Sequence, residues 1–327
     1  MNRRTHAWIA VRAAALLEEK GEVPGLVDEV LKPHVRRAAI GSWIPDMTDA
    51  KRSGSNLPEN HVLKMRPFGS ARYAVDKDET LRNLGTGRSL TELLRADQSL
   101  TPAWWGTPFL GDVRRPGQHI ANRAMALSTT LADLLMMSNS DLIPDEADFI
   151  PDMPPAACTS SEQAAVYFFM LSHFLADACQ PCHSDARNLS DYDKGLHKEI
   201  ERHWATRLGT KLERKLSDEA ATADAVFAAA RGADGPLGLA FGDVPAVGAK
   251  DLWQEVINVC RGSFALASIM VPVEEYPYDD GDARAPFDDL FGSRTSELER
   301  FDAVILHDAV VTVAAAWKDG WTHAWRE

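Results

Sequence analysis

Residues 161–179, SEQAAVYFFMLSHFLADAC, constrain this chain more than any other stretch. Apolar side chains lie nearly all round a helix of this composition, which marks it as a central, buried element. Yet His173 and Asp177 are set into it four residues apart, on one face. Burying an ionisable pair without a partner is costly, so the pair needs a reason. Taken alone, it fits a His–Asp hydrogen bond inside a core. The residues that follow point elsewhere. Gln180-Pro181 ends the helix, because proline cannot continue it, and His183 comes where the chain can turn back beside Asp177. His197 and Glu201 then repeat the i, i+4 device in the next helical stretch. Imidazole and carboxylate donors of this kind suit zinc, and the i, i+4 spacing lets two residues of one helix grip one ion.

Helical periodicity runs through most of the 327 residues. It predicts helices at about 6–20, with Thr5 as N-cap, at 24–31 and 34–41 around Pro33, and at 118–138. Further helices are expected at 193–216, 218–231, 246–271 and 296–321. Residues 42–118 differ. Gly, Pro, Ser and charged residues are frequent there and only 88–96 reads as helix, which indicates a functional loop or lid. The Pro-rich 143–155 is a connection, and the acidic 273–290 a solvated loop. With no alternating strand run and no repeat, a single compact all-α domain over 1–327 is expected.

The chain carries a net charge of −13, which disfavours stable docking on duplex nucleic acid but permits a small phosphoester or phospholipid-like substrate. No apolar run approaches the ~18 residues of a transmembrane segment. MNRRTHAWIAVRAAALLEEK lacks the uninterrupted apolar region and cleavage site of a signal peptide. The expected location is therefore cytoplasmic, or secreted if the true start lies upstream.

Four cysteines, Cys158, Cys179, Cys182 and Cys260, do not make a disulfide framework. Cys179-Gln-Pro-Cys182-His183 does match the C-x-x-C-H run that attaches haem. That motif sits at the end of a helix already crowded by His173 and Asp177, and such attachment ordinarily needs export. No haem is expected. Cys158 and Cys260 read as small core residues. Trp317, Trp321 and Trp325 form a packing stripe. Trp104-Trp105 would line a pocket or anchor a loop. His34, His119, His203, His307 and His323 have no partner pattern and read as structural.

Three upstream residues complete a pattern: His6, Asp46 in GSWIPDMTD, and His61 in PENHVLKM. With them, the sequence resembles the zinc-dependent phospholipase C / S1–P1 nuclease superfamily. The run H-x3-D-x5-H, then fourteen residues to H-x3-E, is that of the bacterial phospholipase C branch. Here it is His173, Asp177, His183, His197 and Glu201. HFLADACQPCHSD resembles that family's H-[FY]-x-G-D-x-x-Q-P-L-H, with Cys182 in the Leu position. The spacing of His6, Asp46 and His61 is closer to the nuclease branch. The likeness runs from residue 6 to residue 201.

The resemblance implies an all-α fold of the phospholipase C/P1 nuclease type, with a trinuclear zinc cluster in a cleft. It assigns one zinc to Asp46, His61, His173 and Asp177, and a second to His183, His197 and Glu201. The third falls to His6, to Asp177 as a bridge, and to the N-terminus. In the family that terminus is a mature Trp, binding through amine and carbonyl. Here Met1 stands five residues before His6, and the large Asn2 favours its retention, so Met1 is the expected ligand. Without that site, two zincs are expected. Residues 184–196 lack the nuclease GGN motif, and Val62 stands where the nucleases tend to place a stacking aromatic. The expected activity is therefore a phospholipase C-like phosphodiesterase. A zinc-bound hydroxide would attack phosphorus in line, with Asp46 available as general base. A single-strand nuclease or 3′-nucleotidase-like enzyme, or a biosynthetic enzyme reusing the zinc centre, are the alternatives.

Overall fold

A computed structural model describes residues 1–53, 58–65, 119–138, 160–187, 189, 195–247, 251–272, 275–277 and 286–324. Regular structure among them is helical, with only isolated β-bridges. No helix there is long and apolar enough to cross a membrane.

Three long helices form the centre. The first, α1 (Arg3–Lys20), is buried at every residue from 5 to 17. Its Ala-rich composition lets neighbours approach closely from all sides. Asn2, not the expected Thr5, caps it: the Asn2 side chain accepts from the Thr5 amide, so the helix starts three residues early. It stops at Gly21, whose φ of 63° is the left-handed conformation that glycine supplies at a helix end. Two further short helices, α2 (Ala38–Gly41) and α3 (Ile44–Ser53), follow a π-helical turn at Leu26–Leu31. Next come α4 (Ile120–Ser138) and the central α5 (Ser161–Ala178). Ser160 and Gln163 make a reciprocal capping box at the start of α5.

Cys179 closes α5, and Pro181 occupies the first position of the short α6 (Pro181–Ser184), where its missing N–H costs nothing. The stretch expected as one helix over 193–216 is two, α7 (Leu196–Leu208) and α8 (Lys211–Ser217). Gly209, at φ 62°, breaks it. The small helices α9 (Ala223–Arg231) and α10 (Asp234–Leu237) lead to α11 (Leu252–Met270). The chain continues through α12 (Phe287–Phe291), a turn of helix within the expected acidic loop, to α13 (Thr295–Ala324).

Helices α1, α5 and α13 pack on one another, while α4 and α11 cover the far side of α5 and α6. All of residues 301–317 in α13 except Ala303 are buried. Trp317 presents its ring edge to Phe168 and Phe169 and donates from Nε1 to the Phe168 carbonyl, so this part of the Trp stripe is packing. Trp325 lies outside the described residues, as do Cys158, the Pro-rich connection, 88–96 and Trp104-Trp105.

The reading of 42–118 as irregular needs correction at its start. Ile44–Ser53 is helical, with Pro45 in the first turn, where proline is favoured. Residues 62–65 run extended beside 183–186. Leu63 and Met65 donate to the carbonyls of His183 and Ser184, and the Ala186 amide donates to Met65.

One glycine joins the fold to the site. A Cβ on Gly41 would stand 2.7 Å from Phe169 Cβ and 3.3 Å from the Val166 carbonyl oxygen, so α2 rests directly on α5. The Gly41→Ala substitution is expected to destabilise the protein by about 1–3 kcal/mol, the usual cost of overpacking a filled contact. A urea titration checks this; an unchanged midpoint would show that α2 can shift freely.

Candidate metal centre

The site lies where the start of α1, the end of α5, the α5–α6 turn and the first turns of α7 come together. All nine expected ligands are there: Met1, His6, Asp46, His61, His173, Asp177, His183, His197 and Glu201. Three convergences stand out. His61, His173 and Asp177 form one, His183, His197 and Glu201 a second, and both follow the expected assignment. The third, His6 with Asp46 and His173, cuts across it. The cause is a stacked pair of imidazoles, with the His6 and His173 rings 4.0 Å apart and 16° from parallel.

Asp177 is the hinge of the arrangement. Its Oδ1 lies 2.8 Å from the Met1 amine and 3.4 Å from His6 Nε2. Its Oδ2 lies 3.0 Å from His61 Nδ1 and 3.2 Å from His173 Nε2. One carboxylate thus faces two ligand sets with different oxygens, the geometry of a bridge. Asp46 approaches the same group, 3.5 Å from His173 Nε2 and 3.7 Å from His61 Nδ1. The Met1 amine also reaches Glu201 Oε1 at 3.0 Å, linking the two convergences.

Backbone carbonyls decide which imidazole nitrogens are available. A carbonyl only accepts, so His173 Nδ1, 2.7 Å from the Ser42 carbonyl, must be a donor. His183 Nδ1 donates in the same way to the His61 carbonyl at 2.9 Å. In the neutral rings both Nε2 atoms then carry lone pairs. His173 turns its lone pair toward two carboxylates, and His183 turns its own toward His197 Nε2 at 3.1 Å. Such facing nitrogen and oxygen atoms can be bridged by a shared proton, as on the raised His173, or by a metal cation. This is how a ligand histidine is commonly fixed, with its second nitrogen held by a carbonyl.

The charge states follow from burial and neighbours. Desolvation drives His6 down to about 4, with His173 and the Met1 ammonium acting in the same sense. Desolvation also holds His183 well below the ordinary range, despite Asp177. For His173 the carboxylates of Asp177 and Asp46 outweigh burial and raise it. The Met1 amine is raised to about 11, because Asp177 and Glu201 outweigh its burial. Asp177 is buried and Glu201 partly buried, and both are still held low, chiefly by that ammonium and the surrounding imidazoles. Asp46 is also lowered, by His173 against its own desolvation, and its side chain is 34% exposed against 2% for Asp177.

The residues present fit a metal cluster on one further ground. His6 is buried, yet neither ring nitrogen makes a hydrogen bond, Nε2 standing 3.4 Å from Asp177 Oδ1. A buried imidazole left in this way loses on the order of 1–3 kcal/mol unless something else binds it.

Several positioning groups carry no signal in the sequence. Asn2 donates to the Glu201 carbonyl and Arg4 to the Ala205 carbonyl, laying the chain's start along α7. Trp204 and Arg207 of α7 donate to the fully buried Asp302 of α13, and His203 lies 3.0 Å from the same carboxylate. His203 therefore has a structural partner. Trp43, partly exposed, sets its ring near both His6 and His173. Cys179 and Cys182 are free and buried, and their thiols are pushed up by desolvation, Cys182 to about 12. Cys179 points at Thr312.

No family model, curated protein or solved structure matches this chain.

A metal taking the Met1 amine must displace its proton. In the metal-free protein the amine keeps that proton up to about pH 11, so divalent-metal affinity rises with pH throughout the neutral range. Zinc affinity is expected to increase at least about tenfold per pH unit from pH 6 to 8, measured against a chelator corrected for its own protonation. A flat profile would remove the amine from the ligand set.

Proposed function

We propose that this chain is a zinc-dependent phosphoester hydrolase of the phospholipase C/P1 nuclease type, acting on a phosphodiester. One observation carries the reading. The residues that the sequence pairs by spacing meet in space, and backbone carbonyls turn two of their imidazole lone pairs toward the other donors. The donor set, all nitrogen and oxygen with carboxylates among them, suits zinc.

Asp46, His61, His173 and Asp177 would hold one ion, and His183, His197 and Glu201 another. His6, Asp177 and Met1 would hold the third. Zinc bound there supplies Lewis-acid charge for the phosphate and acidifies water at neutral pH. The chain's own part is positioning and proton transfer. Met1, His6, His173 and Asp177 form a dry floor. Asp46 is the most exposed of the three carboxylates and so the one open to an arriving substrate. Its oxygen takes the proton of the water that adds to phosphorus. The opposite P–O ester bond breaks, and the proton passes to the departing alkoxide, giving a phosphate monoester and an alcohol.

Metal analysis joined to a phosphoester panel tests this. Zinc-loaded protein is expected to hold three ions per chain, one for each proposed ligand set, and to hydrolyse bis-p-nitrophenyl phosphate. Phosphocholine esters and single-stranded DNA in the same panel separate the lipase-like from the nuclease-like specificity. Asp46→Asn should lower kcat by about 10² or more. One zinc or none, or inactivity on every ester, would overturn the reading.

The third ion has its own test. A short tag fused ahead of Met1 replaces the amine by an amide and should remove about one zinc and much of the activity. Full occupancy in the tagged protein would mean that His6 and Asp177 serve another purpose.

A further inference from the structure

Several of the described arginines are paired with carboxylates. Arg4, Arg12, Arg37, Arg187, Arg207 and Arg231 each lie within salt-bridge distance of a carboxylate. Arg123 on α4 is different. Among the described residues its side chain has no ion-pair or hydrogen-bond partner, and its Nε is shielded from solvent. Its guanidinium lies 5.6 Å from the centroid of the Phe174 ring, a cation–π contact that leaves the N–H donors in the guanidinium plane unused. The same ring is 5.3 Å from that of His61 and 5.4 Å from that of His173. One benzene ring therefore separates the unused guanidinium from two ligand histidines.

His119 stands one helical turn before Arg123. It is 8% exposed, and its Nδ1 is buried without a partner. Its ring lies against Trp253, which in turn donates to Asn122, so the imidazole is held in place by packing. The Ile120 amide donates to the Val62 carbonyl, which ties this end of α4 to the residue after His61. An unpaired cation and an unpaired imidazole nitrogen thus share one end of one helix, beside the metal centre. Burying polar groups unsatisfied is unfavourable, and a chain with 48 acidic residues has no shortage of carboxylates to pair with a guanidinium.

We propose that Arg123 and His119 form a subsite for a second anionic group of the substrate, a phosphate one residue's breadth from the scissile ester. The assignment rests on the hydrolase reading and narrows it. The substrate class becomes a phosphodiester that carries an additional phosphate, rather than one with a zwitterionic head group. A nucleoside with a 3′-phosphodiester and a 5′-phosphate has this form, with one sugar between its two phosphorus atoms.

The probes are thymidine 3′-(p-nitrophenyl phosphate) with and without a 5′-phosphate. Zinc-loaded wild-type protein is expected to favour the 5′-phosphorylated ester by at least about tenfold in kcat/KM, as charged hydrogen bonds would give. Arg123→Gln should abolish the preference with zinc content and circular dichroism unchanged, and Arg123→Lys should keep part of it. Equal turnover of the two esters by wild type, or a preference that survives Arg123→Gln, overturns the subsite. If neither ester is hydrolysed, the hydrolase reading fails, and calorimetry with the same compounds decides the subsite alone. Tighter binding of the 5′-phosphorylated compound that is lost in Arg123→Gln supports it; equal binding refutes it.

Discussion

The Asp177 carboxylate is the charge on which the rest of the centre depends. Its side chain is 2% exposed, and an isolated carboxylate at that depth would be prohibitively costly. It is made tolerable by what surrounds it: the Met1 amine and His6 on one oxygen, His61 and His173 on the other. Each of those partners comes from a different element or a different turn. The start of α1, the 58–61 turn and the last turns of α5 are therefore held together by one group. Removing it would strand four polar groups in a dry space, and breaking a buried charge network in this way costs about 3–5 kcal/mol.

Helix ends are used consistently around that charge. The start of α1 brings its positive dipole end, and the amine itself, toward Asp177 and Glu201. The last turn of α5 brings carbonyl oxygens and a carboxylate to the place where cations would bind. Contacts remote from the ligands fix the angles. Asp302 fastens α7 through Trp204 and Arg207. Arg187 pairs with Asp185 and donates to the carbonyls of Val271 and Tyr276, anchoring the turn that carries His183. Through the 62–65 stretch paired beside that turn, the same anchor also steadies His61.

The residues that converge were legible because their spacing follows the helical repeat. His173 and Asp177, like His197 and Glu201, stand four apart on a helix, and a period of that kind survives in sequence. The all-α class was legible for the same reason, through apolar repeats. What could not be read depends on contacts between distant segments. Asn2 is an ordinary N-cap residue, and nothing local says that it rather than Thr5 starts the helix. Gly209 divides α7 from α8 because the chain must turn there, yet a single glycine inside a helical pattern is often tolerated. The carbonyls of Ser42 and His61 set imidazole tautomers, but every residue has a carbonyl. Arg123 and His119 are distinguished only by partners they lack, a property that belongs to the fold. The C-x-x-C-H run shows the opposite relation between sequence and contact. Its letters are adjacent, but the chemistry of His183 is set by His61 and His197, and Cys179 looks toward α13.

Charge balance then orders the events at the site. Three carboxylates, Asp46, Asp177 and Glu201, face one ammonium and the raised His173, while His6 and His183 stay neutral. Without metal the pocket is at best close to neutral and leans negative, so it offers a phosphodiester no net attraction. On the proposed reading, divalent cations would reverse that sign by displacing protons from the same groups that stabilise the carboxylates. Arg123 lies outside this exchange, behind Phe174. A doubly anionic substrate would therefore meet a fixed cation first and a metal-dependent one second. On that reading the reacting phosphate would be held only after the cluster had formed.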